Sequence, residues 1–158
     1  MRNVKEFAIP DGTTKIEDYA FSGFDTIESF IIPDSVTAIG SCAFSGCDEL
    51  KSIVIPKSVI GIGWNAFADC KKLETVTIEG NISEIYKYTF IDCERLTSIT
   101  IPASVTRIDD EAFLRCNRLT DIYYGGTMEQ WEKISKTYKW DVSFDEYTVH
   151  CSDGDITQ

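Results

Sequence analysis

The sequence predicts an α/β solenoid: chain coiled in register, a parallel β-sheet along one face, short second strands and short helical turns opposite. Three observations predict it. Apolar residues return with a fixed period of 23, and periods of this size are the signature of stacked supersecondary units. The returns fall in columns of like residues: Phe7, Phe30, Ile53, Val76, Ile99 and Ile122 in one, Ile9, Ile32, Ile55, Ile78, Ile101 and Tyr124 in another, with Ala-Phe pairs at Ala20-Phe21, Ala43-Phe44, Ala66-Phe67 and Ala112-Phe113. Within most units a two-residue alternation gives way to a proline and then to a compact closing segment, as expected where a strand ends in a turn.

The unit at residues 50–72 shows each element. Ser52, Ile53, Val54 and Ile55 alternate, which puts Ile53 and Ile55 inward and Ser52 and Val54 outward. Pro56 lacks the N–H that would continue the ladder, and the following Lys57-Ser58 makes the turn. Residues 59–62 form a second short strand. Residues 64–70 hold Ala66, Phe67 and Cys70 at helical spacing, over a length that allows one or two turns at most. No single unit buries its own Leu, Ile and Phe, so the units must stack, about 4.8 Å apart.

Residues 1–124 form the array, with repeats starting near 4, 27, 50, 73, 96 and 119. The first is irregular, with Thr13 in a column of valines and Phe24 in a column of cysteines, and the proline turn is replaced by Glu79-Gly80-Asn81 in repeat four and by Gly125 in the sixth. No polar segment precedes the first repeat, so its edge is either covered upstream or paired in an oligomer. Residues 125–158 form a C-terminal capping segment. There Thr127 and Gln130 read as a capping box, Met128, Trp131, Ile134 and Tyr138 as one apolar helical face, and residues 147–151 as a strand.

Composition removes several functions. The net charge of -11 argues against nucleic acid and anionic membrane surfaces. No run of 18 apolar residues spans a bilayer. The first ten residues lack the apolar core of a signal peptide. Cys47, Cys70, Cys93 and Cys116 share one column. Parallel side chains in a column cannot converge on one tetrahedral metal, so buried small side chains are expected there, with no metal and no cofactor. His150 and Cys151 are strand neighbours that point to opposite faces, and neither a phosphate-binding glycine loop nor a nucleophile elbow is present. The chain therefore reads as no enzyme.

The repeat, L-x-S-I-x-I-P-x-S-V-T-x-I-G-x-x-A-F-x-x-C, resembles the BspA-like leucine-rich repeats, a bacterial surface-protein class, over residues 4–124. Tyr123, Tyr124, Gly125, Gly126 and Thr127, then Trp131, then Val149, His150, Cys151, Ser152, Asp153 and Gly154 resemble the segment that closes such arrays in gut bacterial proteins. The resemblance implies a right-handed leucine-rich-repeat superhelix and an extracellular or cell-surface location. Because the chain shows no signal peptide, that location implies a fragment of a longer protein. It also implies adhesion or another protein–protein contact, with a host or matrix protein as partner. A structural spacer and a carbohydrate-binding module are the alternatives.

With no catalytic constellation, surface is what remains. The outward strand positions form two columns; from them Ile31, Ser52, Val54, Thr77, Ser98, Thr100 and Tyr123 are the candidate partner-binding residues. Tyr19, Trp64, Tyr86 and Tyr88 occupy positions that the core does not need and form the alternative aromatic patch. Lys5, Glu28, Lys51 and Glu74 alternate in sign along one column, an arrangement that favours in-register stacking.

Overall fold

The computed structural model describes residues 5–158; the expected repeat start at Val4 lies outside the described residues. Each coil contributes a longer strand and a two-residue strand. In chain order these are β1 (Glu6–Ala8) and β2 (Lys15–Ile16), β3 (Ser29–Ile31) and β4 (Ala38–Ile39), β5 (Ser52–Ile55) and β6 (Gly61–Ile62), β7 (Thr75–Ile78) and β8 (Glu84–Ile85), β9 (Ser98–Ile101) and β10 (Arg107–Ile108). The chain then runs through β11 (Asp121–Tyr124), helix α1 (Met128–Lys133), β12 (Ser135–Lys136), β13 (Thr148–Cys151) and β14 (Gly154–Thr157).

The longer strands form one eight-stranded sheet in the order β1-β3-β5-β7-β9-β11-β13-β14. Pairing is parallel and in register by one repeat, as in Glu6↔Ser29, Ser52↔Thr75 and Ser98↔Asp121. The last parallel step is longer: Asp121 aligns with Thr148, 27 residues on, because α1 is inserted in that coil. β14 then turns back antiparallel on β13 and forms the sheet's final edge, while β1 forms the other.

The short strands form two three-stranded sheets, β2-β4-β6 and β8-β10-β12. The gap between β6 and β8 falls at repeat four, where Glu79-Gly80-Asn81 replaces the proline turn. Gly80 is required there: a Cβ on it would stand 2.3 Å from the Val59 carbonyl oxygen.

The third side was expected to carry short helical turns, and it is built from successive i→i+3 turns. In the first coil Ala20, Ser22 and Phe24 donate three residues back, to Glu17, Tyr19 and Phe21, while Tyr19, Phe21 and Gly23 donate to Ser41, Ala43 and Ser45 of the next coil. Half of the N–H groups are thus spent between coils, which leaves too few for a continuous helix. Two columns of left-handed residues make the alternation possible: Tyr19, Cys42, Asn65, Tyr88 and Glu111, then Gly23, Gly46, Asp69, Asp92 and Arg115.

The core lies between these three sides. Phe44, Phe67, Phe90 and Phe113 stack with ring centroids 5.2, 5.5 and 5.4 Å apart and planes within 8° of parallel. All four are fully buried, each contributing roughly 1.5–3 kcal/mol. The cysteine column is buried and its thiols are free. The Sγ–H groups of Cys47, Cys70, Cys93 and Cys116 donate to the carbonyls of Phe21, Phe44, Phe67 and Phe90 at 3.1–3.2 Å. Burial pushes the Cys47 thiol up to about 12 and raises that of Cys93 as well, which disfavours the thiolate at both positions.

In the last coil Thr127 and Gln130 form the expected capping box, and Trp131 and Ile134 are buried. Tyr138 does not join them. The helix ends at Lys133, and Tyr138 is 93% exposed. Trp140 takes its place in the core, edge-on to Trp131 at 5.7 Å, and Phe144 packs on Phe113 at 6.0 Å. The Lys136 ammonium donates to the Trp131 and Ile134 carbonyls, closing the helix C-terminus.

Candidate functional site

The candidate face is the outer side of the large sheet. Alternation within each strand fixes it, since inward Ile53, Val76 and Ile99 are buried and their neighbours face out. Ile31, Val54 and Tyr123 are 50%, 52% and 47% exposed. Ser52 is exposed as well, whereas Thr77, Ser98 and Thr100 are half-buried among their neighbours. The candidate residues therefore lie on one surface, apolar near β3 and β5 and hydroxyl-bearing toward β9.

Strand pairing is uneven across this face. β3 and β5 register at Ser29↔Ser52 alone, whereas the adjoining pairs register at three or four positions. The short register coincides with the core step from Phe30 to Ile53, where an aromatic column gives way to aliphatic residues. Phe30 packs against Phe21 and Phe44 at 5.0 and 4.9 Å. A groove of about 330 Å³ lies over this step, lined in part by Ile31, Ser52, Val54, Pro56, Asp34 and Glu79.

At the far end of the face His150 continues the Tyr123 column. Its ring stacks on Tyr123 with centroids 4.7 Å apart. Nε2 lies 2.8 Å from an Asp121 oxygen and Nδ1 3.1 Å from an Asp155 oxygen. Both nitrogens face carboxylates, so the doubly protonated ring, with two N–H donors, fits the site. Asp121 chiefly raises the His150 pKa, and the His150 contact in turn lowers that of Asp121. Sequence reading at a fixed period of 23 misses this alignment, because the last coil is longer.

The aromatic set does not gather into one patch. Trp64 and Tyr86 meet with centroids 6.5 Å apart and planes 57° apart. Tyr88 lies under the Lys87 ammonium at 4.7 Å. Tyr19, 65% exposed, stands three coils before Tyr88 in the same left-handed column. The charged column is a register device in part: Glu28 bridges Lys5 and Lys51, both at 2.6 Å, and these contacts hold its carboxyl down at about 2. Glu74 pairs with Arg95 at 3.2 Å instead of Lys51.

Stacked parallel coils, a buried column of Leu50, Leu73, Leu96 and Leu119, and an extended outer sheet define a leucine-rich-repeat solenoid. The chain belongs to the BspA type leucine-rich repeat family, whose repeat region matches residues 1–120 in six copies. A leucine rich cell surface protein from Faecalibacterium prausnitzii is 35% identical, over 85% of this chain and 35% of that chain, with a TM-score of 0.73. A leucine-rich repeat protein from Bacteroides ovatus is 31% identical over 79% of this chain and 40% of its own, with a TM-score of 0.60. One from Eubacterium ventriosum, 22% identical, shares the fold with a TM-score of 0.73 over 92% of this chain and 41% of its own. No curated protein matches the chain. The chain thus spans between about a third and two fifths of the length of these solved proteins.

Proposed function

We propose that the chain is a non-catalytic recognition module of a bacterial surface or secreted protein, and that it binds a protein through the outer face of its large sheet. One observation carries this reading: Ile31 and Val54, one repeat apart on the neighbouring strands β3 and β5 and lining the same groove, each leave half of their surface in water. The fold does not need them there, since Thr77 and Thr100 fill the same column one and two coils after Val54. Adjacent exposed apolar side chains rimmed by polar ones are the composition of a contact surface. The similarity to a cell surface protein of Faecalibacterium prausnitzii supports the location.

The test is retention of proteins from cell-surface and matrix extracts on the immobilised chain and on an Ile31→Asp/Val54→Asp variant. Both side chains point outward, so the variant keeps the fold, which circular dichroism checks. A protein held by the parent and lost by the variant is the expected result. Equal retention by both moves the site off this face, and no retention by either leaves a structural spacer as the better reading.

A further inference from the structure

We propose that the groove over the β3–β5 step receives an extended peptide segment that carries lysine or arginine between apolar side chains. The proposal rests on the reading of the outer sheet face as a recognition surface and names the chemistry of its partner. The floor is apolar: Ile31, Val54 and Pro56 line it. The rim is acidic, with Asp34 after β3 and Glu79 after β7, on either side of the Pro56 coil. Among the described residues neither carboxylate pairs with a lysine or arginine, although Glu28, Asp48, Glu49 and Glu74 all do. Lys57 sits one coil beyond Asp34 in the same column but is not a lining residue.

Glu79 is informative because of where it stands. The column at this position reads Pro10, Pro33, Pro56, Glu79 and Pro102. A carboxylate replaces the turn proline in the coil next to the groove, and it makes no ion pair there. Complementary charge favours a cationic partner over an anionic one and steers its approach. β3 and β5 are interior strands, so the partner does not extend the sheet. Its side chains dock on the face, with aliphatic groups against Ile31 and Val54 and a cation toward Asp34 and Glu79.

The experiment is fluorescence anisotropy of the full chain with two labelled heptapeptides, one alternating lysine with valine and the other glutamate with valine. The cationic peptide is expected to bind and the anionic one not to. Asp34→Asn/Glu79→Gln is expected to weaken binding roughly three- to tenfold, the scale of two exposed ion pairs. Asp145→Asn/Glu146→Gln removes the same net charge in the last coil and is expected to leave binding unchanged. Equal loss in both variants, no loss in the first, or no binding of the cationic peptide overturns the proposal. The two readings fail separately. A partner lost by Ile31→Asp/Val54→Asp yet held fully by Asp34→Asn/Glu79→Gln overturns the charge-matched groove and leaves the face intact.

Discussion

At the scale of single residues, the decisive feature is backbone handedness on the turn side. Asp69 is exposed and sits at φ 59° in the column that Gly23 and Gly46 begin. An L residue accepts that conformation at a cost of about 1–2 kcal/mol, and a β-branched one accepts it least well. Asp69→Val is therefore expected to lose roughly 1–2 kcal/mol in urea unfolding. Asp69→Gly is expected to stay within about 0.5 kcal/mol of the parent, because relief of strain offsets the greater freedom of the unfolded chain. Equal loss in the two variants would show that the Asp69 side chain, not its backbone, matters. This column also explains why sequence reading expects helical turns. Ala66, Phe67 and Cys70 carry the helical spacing, but Asn65, Asp69, Tyr88, Asp92 and Arg115 do not announce left-handed backbone as glycine does.

At the scale of elements, the closing hairpin is held by His150, which joins β11, β13 and β14 through Asp121 and Asp155. The folded-state pKa of His150 lies above its ordinary value of about 6.5. Its contribution to stability is therefore complete below about 6.5 and disappears as pH rises through the raised folded value. Asp121, whose pKa is depressed, contributes above its ordinary value, and that part is lost in acid. The stability difference between the parent and His150→Gln is expected to be largest near pH 6 and to shrink toward pH 9. Hydrogen exchange at β14 amides should follow the same course. A difference that stays constant from pH 6 to 9 would remove the imidazolium from the account. The candidate face was legible as columns because the neighbour of any outward residue stands one repeat away; that reasoning places Ile31, Val54 and Thr77 side by side. It fails at His150, where α1 lengthens the coil, and it does not show that β3 and β5 register at Ser29↔Ser52 alone. The packing of Phe30 against Phe21 and Phe44 beside the β3–β5 step is likewise not given by the spacing.

At the scale of the whole molecule, coils contact their neighbours and little else, so the array behaves as a chain of interfaces. Phe67 touches Phe44 on one side and Phe90 on the other. Phe67→Ala is expected to cost about 3–5 kcal/mol and to expose the middle of the array first, read as faster exchange in β5 and β7 than in β11. Phe24, 43% exposed at the first coil, is expected to tolerate the same change within about 1 kcal/mol. A uniform loss of protection in Phe67→Ala would show a single cooperative unit in place of linked ones. Recognition is proposed on the outer sheet of this stack, and the rival site is the Trp64–Tyr86 pair on the turn side. The direct comparison is the dissociation constant of a retained partner for the parent, for Ile31→Asp/Val54→Asp and for Trp64→Ala/Tyr86→Ala. A loss of roughly hundredfold is expected in the first variant, the scale of a lost contact centre, and no change in the second. The reverse order would contradict recognition through the outer sheet.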